Sequence, residues 1–437
     1  MNPLATELNQ DLEKNAPKVL SMLGSIGKNL FFPKGILAQS AEAKEKAYKF
    51  NATIGIATEE GRTMCIPSIM ESISGISASS ALRYAPSFGV PALRKAWQKA
   101  LFEKNPGLNG KTISLPIVSQ AITHGISVFG DVWVDQGDAV ILPDKFWGNY
   151  SLILSVRRGA RLSHYSLFND HGGFNLEAFE AKVKAEAAGN EKIVVLLNFP
   201  NNPTGYTPTK DEAKAIAKIL TEVAEAGTYV LAVCDDAYFG LFYEEDCAKE
   251  SIFTLLADVS ENLIAIKLDG ATKEDFVWGL RVGFVTYGTK IPGDAAVVYN
   301  ALERKTAGAV RGSISNASNL SQSILLKAME SNNYEPERKQ KRDILQARAV
   351  KVKKVLADPK FADAWDVYPF NSGYFMCLKM KTVNAETLRV HLLNQYGVGL
   401  ISLGPTDLRV AFSCLEEQDV QELFDTVLAG VRDLEKG

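Results

Sequence analysis

Cysteine and histidine are scarce in this chain of 437 residues, and neither forms a disulfide or metal framework. The five cysteines (Cys65, Cys234, Cys247, Cys377 and Cys414) are odd in number, widely spaced, and include no C-x-x-C. They read as free buried thiols in a reducing compartment. The four histidines (His124, His164, His171 and His391) lack metal-ligand spacing, so no metal is expected. An excess of charge of one sign is missing too. The net charge of −3 offers no basic footprint for nucleic acid. No apolar run approaches the ~18 residues that a membrane span needs. The opening MNPLATELNQDLEKN is too acidic and polar for a secretory signal. No internal repeat or low-complexity tract stands out. These absences leave a cytoplasmic enzyme acting on small molecules. Its 46% hydrophobic content is enough for a large core, in two domains or one large one.

The middle of the chain alternates strand and helix patterns. Ile126, Val128, Phe129, Val132 and Trp133 fall on helical spacing over Ile126–Val134, with Gly137 as a stop. AVILPD (139–144) and a shorter apolar run near Ser151–Ser155 follow. KIVVLLNFP (192–200) is a buried strand. Thr209 and Glu212 then form a T-x-x-E capping box that opens an amphipathic helix ending near Gly227. TYVLAVCDDAYFG (228–240) and NLIAI (262–266) are further buried strands. Strands joined by helical patterns predict an open, mostly parallel α/β sheet covered on both faces.

Ligands of such sheets bind beyond the carboxyl ends of the strands. KIVVLLNFP runs into Asn201 and Asn202 of NNPTG, TYVLAVC into Asp235 with Tyr238 just after, and NLIAI into Lys273. Eight residues after Lys273, Arg281 sits between Gly279 and Gly283. Each feature has a plain alternative: NNPTG as a turn, Asp235 as a helix cap, the lysine and arginine as surface charges. Together they suit pyridoxal phosphate. A lysine amine bonds its aldehyde, and a buried carboxylate (Asp235) keeps its ring nitrogen protonated. Asn202 and Tyr238 supply neutral donors to its phenolate oxygen. The phosphate takes a helix N-terminus and a cation. ITHGIS ahead of the Ile126 helix offers Gly125, the following amides of Ile126 and Ser127, and the Ser127 hydroxyl; Arg281 offers the cation. Trp147, past the AVILP strand, is placed either to stack on the ring or in the core.

These motifs resemble the class I aminotransferases of fold type I, especially the aspartate and aromatic branch, from about Asn51 to the C-terminus. The resemblance implies a three-layer large domain with a mostly parallel sheet (66–330) and a smaller α+β domain. Residues 331–437 form most of that smaller domain, and 1–65 an N-terminal arm and the rest of it. Lys273 and Arg281 match the family signature around the cofactor lysine. Asn202 matches the amide of NPTG, and Asp235 and Tyr238 match D-x-A-Y. Trp147 matches the stacking aromatic of W-G-N, and Tyr84 the tyrosine of Y-x4-G-x3-LR. By resemblance, Tyr84 reaches the phosphate in a neighbouring subunit, which implies a homodimer with shared active sites. Arg409 in LRVAFS matches the clamp on the substrate α-carboxylate. Arg311 in VRGSISN is similar to the arginine that takes a distal carboxylate. Gly55 and Asn202 join these two arginines on the substrate side.

The resemblance therefore implies transfer of an amino group between an L-amino acid, acidic or aromatic, and a 2-oxo acid. A lyase or decarboxylase of the same fold would share Lys273, Asp235 and Asn202. A ligand sensor built on the same body would have lost the lysine or gained a DNA-binding segment. Two positions depart from the pattern. Gly270 stands where a phosphate-binding serine is usual, with Thr272 and Ser127 to compensate. Ile126 replaces a common glycine. FFPKGILAQSA (31–41) reads equally as the lining of a substrate entrance and as the lead-in to a surface helix.

Overall fold

The computed structural model describes residues 1–33 and 35–436. Seven strands make the main sheet: β1 (Ile117–Gln120), β2 (Ala139–Pro143), β3 (Arg161–Tyr165), β4 (Lys192–Asn198), β5 (Tyr229–Asp235), β6 (Leu263–Asp269) and β7 (Val282–Thr289). Their order is β1-β7-β6-β5-β4-β2-β3. All neighbours pair in parallel except β7, which runs antiparallel to both β1 and β6. Ile193 to Leu197 of β4 and Val230 to Asp235 of β5 are buried on both faces, as the continuous apolar runs predict.

Among the helices that surround the sheets are α1 (Pro3–Asn15), α2 (Ile36–Lys46), α3 (Pro91–Lys104), α4 (Ala121–Trp133), α5 (Leu176–Gly189), α6 (Lys210–Glu225), α7 (Ala295–Ser313), α8 (Tyr334–Leu356), α9 (Ala385–Tyr396) and α10 (Val420–Lys436). Thr209 and Glu212 close the expected capping box on α6. A second, antiparallel sheet comprises β8 (Trp365–Val367), β9 (Phe375–Met380), β10 (Ile401–Leu403) and β11 (Asp407–Ala411), in the order β8-β9-β11-β10. Phe50–Asn51 pairs with Val398–Gly399, so the N-terminal segment is tied to this second unit.

Two local expectations are corrected. The run near Ser151–Ser155 is a wide helical turn, Ser151–Val156, and the edge strand beside β2 is instead Arg161–Tyr165. The helix expected at Ile126 begins at Ala121. Apolar spacing hid this start, because the first turn is set by polar contacts. His124 Nδ1 accepts from the Gln120 N–H at 3.1 Å, and the Ser119 hydroxyl donates to the Ala121 carbonyl at 2.9 Å. All five cysteines are free, but Cys65 is exposed rather than buried. No group of residues suited to a metal ion occurs among the described residues. No helix there is long and apolar enough to cross a membrane.

Candidate active site

The carboxyl ends of β4, β5 and β6 open into a cleft of about 670 Å³. Asn202, Asp235, Tyr238, Thr272, Lys273, Arg281, Trp147, Gly55 and Arg409 all line it. Parallel pairing from β4 through β6 places the three strand ends side by side, with Asn198 opposite Asp235 and Asp235 opposite Leu268.

Asp235 is buried, and burial raises its carboxyl to about 6 against the pull of a hydrogen bond from Tyr150. The Tyr150 hydroxyl donates to Asp235 Oδ2 at 2.5 Å, and the Ala237 N–H donates to Oδ1 at 3.2 Å. Asn198 braces both neighbouring elements. Its amide donates to the Asp235 carbonyl at 3.0 Å, and its oxygen accepts from the Asn202 N–H at 2.9 Å. Lys273 sits on a one-turn helix, Ala271–Glu274, just past β6. Its ammonium lies 5.1 Å from the Tyr238 ring centroid. Burial lowers the Lys273 amine to about 8, opposed by Asp235 and assisted by Arg281.

At one end of the cleft several anion-binding groups converge. Ala121, Ile122 and Thr123 form the first turn of α4, where N–H groups lack intrahelical acceptors. The Thr272 hydroxyl is buried without a hydrogen-bond partner, and Arg281 forms no ion pair among the described residues. The backbone is strained there: Ala121 has φ +61° and Arg281 φ +55°. Gly283 permits this approach, since a Cβ on it would lie 2.6 Å from the Ala121 carbonyl carbon. These groups fit a phosphate, and Trp147 and the buried Asp235 line the same cleft.

Arg409 on β11 is also buried and faces no carboxylate among the described residues. It donates to the Thr53 carbonyl at 2.8 Å and to Asn202 Oδ1 at 3.3 Å, stacks 4.2 Å from the Phe375 ring centroid, and leaves Nε unpartnered. A buried guanidinium with a free edge invites a carboxylate.

Five expected positions do not line this cleft, one of them, Tyr84, being expected at a neighbouring subunit's cleft. Gly125, Ile126 and Ser127 fall in the second turn of α4, because the helix starts earlier than Ile126. Gly125 and Ile126 are buried, and the Ser127 hydroxyl accepts from Arg157. The first-turn residues Ala121, Ile122 and Thr123 take their place at the cleft. Tyr84 is 91% exposed and Arg311 donates to the Ser315 hydroxyl at 2.6 Å; neither lines the cleft of its own protomer. Gly270 has a packing reason: a Cβ there would meet the Val282 carbonyl oxygen at 2.5 Å. Tyr150 and Asn198 escaped the sequence reading, although Asn198 ends the strand that leads into NNPTG. The 31–41 segment serves both expected roles. Phe31 and Pro33 line the cleft, and Ile36 and Leu37 do so from the start of α2.

The chain matches the family of class I and II aminotransferases over residues 47–427, and it belongs to that family. It is 27% identical over 254 residues to an aspartate aminotransferase of Bacillus sp. (strain YM-2), covering 58% of this chain and 60% of that protein. A probable aspartate/prephenate aminotransferase of Rhizobium leguminosarum bv. phaseoli is 25% identical over 411 residues, 88% of this chain and 93% of its own length. An aminotransferase structure from Anaerococcus prevotii DSM 20548 superposes with a TM-score of 0.82 at 22% identity, covering 93% and 98% of the two chains. The fold is thus that of the fold type I aminotransferases.

Proposed function

We propose that the protein is a pyridoxal 5′-phosphate-dependent aminotransferase that moves an amino group between an L-amino acid, acidic or aromatic, and a 2-oxo acid. One observation carries this reading: Lys273, Asp235, Asn202, Arg281 and the unpaired Arg409 converge in a single cleft. Thr272, Arg281 and the first-turn amides of α4 would hold the phosphate, Asp235 the ring nitrogen, Asn202 and Tyr238 the ring oxygen, and Trp147 the ring face. When bound, the cofactor supplies a sink for the electron pair left at the substrate Cα.

Arg409 orients the substrate by its α-carboxylate, with Asn202 and Gly55 beside it. Lys273 Nζ, in the same cleft as Arg409, would be the base that takes the substrate Cα proton. A basicity near 8 keeps a useful fraction of that amine neutral near neutral pH. Asp235 would hold the ring-nitrogen proton, and the Tyr150 hydroxyl and the Ala237 amide fix its carboxylate. Phe31, Ile36, Leu37 and Phe146 form apolar cleft wall, which favours an aromatic side chain. Acceptance of a distal carboxylate would draw on Arg311 of a second copy.

The test is incubation with pyridoxal phosphate and each of twenty amino acids, followed by absorbance. Conversion to the amine form of the cofactor identifies donors. Release of carbon dioxide without that conversion would instead favour a decarboxylase. Conversion by aromatic amino acids but not by aspartate or glutamate would remove Arg311 from the distal-carboxylate role.

A further inference from the structure

Behind the cleft lies a buried set of charges that the reaction does not use directly. Asp236, next to Asp235, pairs with the fully buried Lys267 and accepts from the Ser251 hydroxyl at 2.6 Å. Lys267 also lies 3.5 Å from Asp269 at the end of β6. Asp269 accepts from the Trp97 indole at 3.2 Å, and the Lys104 ammonium sits 4.9 Å from the Trp97 ring centroid. Lys104 then pairs with Glu274 at 2.5 Å, and Arg338 of α8 approaches the same carboxylate at 3.5 Å. Asp275 accepts from the Tyr334 hydroxyl at 2.7 Å. The path therefore runs from Asp236, the neighbour of Asp235, to Glu274, the neighbour of Lys273.

Its placement is specific. Lys273 faces the large cleft, while Glu274 lines a separate cavity of about 330 Å³ beneath it. Gly240, at φ +87°, packs so closely that a Cβ would meet Glu274 Oε2 at 2.9 Å. Four acids (Asp236, Asp269, Glu274, Asp275) face three bases (Lys267, Lys104, Arg338), with Glu335 also pairing to Arg338 at 2.6 Å. Burial raises the Asp275 carboxyl, and the neighbouring Glu274 charge adds to that rise. Desolvating so many ions is a poor route to stability, because apolar packing of the same volume does as well or better. A charge network does, however, fix geometry and local potential.

We infer that this network positions Lys273 and Asp235 relative to one another, with Lys104 and Glu274 as positioning residues for the reaction proposed above. The Lys104 cation offsets the Glu274 carboxylate one residue from Lys273. The groups facing that amine directly are Asp235, Tyr238 and Arg281, and the Tyr374 hydroxyl donates to the Lys273 carbonyl at 2.8 Å.

The inference rests on the aminotransferase reading, and one experiment separates the two. Wild type, Lys104→Met, Glu274→Gln and the double variant are loaded with pyridoxal phosphate, and the visible absorbance of the Lys273-bound cofactor is titrated with pH. Lys104→Met leaves Glu274 uncompensated and should raise the midpoint by about one pH unit; Glu274→Gln should lower it by about as much. The double variant should return close to wild type. Each single variant should lose roughly tenfold in kcat, with the donor KM within about twofold because Arg409 is untouched, and the double variant should recover most of the loss. Unchanged midpoints and kcat in single variants that merely melt earlier would overturn the inference. If Lys104→Met does not fold, Glu274→Gln decides alone: a lower midpoint supports the inference, and an unchanged or higher one overturns it. Wild type that forms no visible cofactor bond would instead refute the aminotransferase reading.

Discussion

Tyr150 and Asp235 share a 2.5 Å hydrogen bond in a fully buried setting, and the Trp147 ring packs at right angles to the same phenol, 5.5 Å between centroids. Removing that donor lets burial raise the Asp235 carboxyl above about 6. Tyr150→Phe should therefore still take up pyridoxal phosphate and lower kcat roughly tenfold, equivalent to about 1–2 kcal/mol for one such bond. Steady-state kinetics on the loaded enzyme check this. Lys273 yields a pH prediction. Its amine sits near 8 rather than the ordinary lysine value, so the neutral form grows as pH rises to 8 and saturates above it. Capture of pyridoxal phosphate by the apoprotein should accelerate up to about pH 8 and then level off; a rate still climbing at pH 10 would contradict the buried setting. Lys273, Asp235 and Asn202 were legible in the sequence because strand ends in a parallel sheet share one edge. Tyr150 was not, since it lies on a helical turn whose partner is distant in sequence.

At the scale of elements, the start of α4 shows why apolar spacing points to Gly125, Ile126 and Ser127 while Ala121, Ile122 and Thr123 line the cleft. Hydrophobic spacing marks the part of a helix that packs on the sheet, whereas the anion-binding amides belong to its polar lead-in. That lead-in is fixed by Ser119, His124 and the left-handed Ala121, which apolar periodicity does not register. Gly270, where the family pattern has a serine, lets β7 pack against the Lys273 turn. Gly270→Ser should thus fail to improve cofactor affinity. It should also destabilise the protein by about 1–3 kcal/mol through the clash with the Val282 carbonyl, visible as a lower Tm.

For the whole molecule, the alternation of strands and helices revealed the main sheet, while the antiparallel β7 and the second sheet carried no comparable signal. Short strands such as β8 and β10, at three residues each, offer too little periodicity to be distinguished from loops. Subunit arrangement is the matter that a single chain leaves to be tested. Met70, Ile73, Leu82 and Tyr84 are all exposed large side chains from one stretch of sequence, with Leu82 at 83% and Tyr84 at 91%. A homodimer would cover them, and would bring Tyr84 and Arg311 to the neighbouring cleft. Light scattering should give twice the chain mass for the wild type. Leu82→Arg should shift it towards the monomer, with loss of most activity; a fully active monomer would exclude shared sites.

The central claim is that Lys273 bonds the aldehyde of pyridoxal phosphate in this cleft. The direct measurement is the visible absorbance of the reconstituted protein, compared between wild type and Lys273→Ala, together with turnover of an amino donor. The wild type should show the absorbance and turn over, and Lys273→Ala should lose the bound-lysine band and nearly all turnover while still folding. Persistence of both the band and turnover in Lys273→Ala would contradict the assignment.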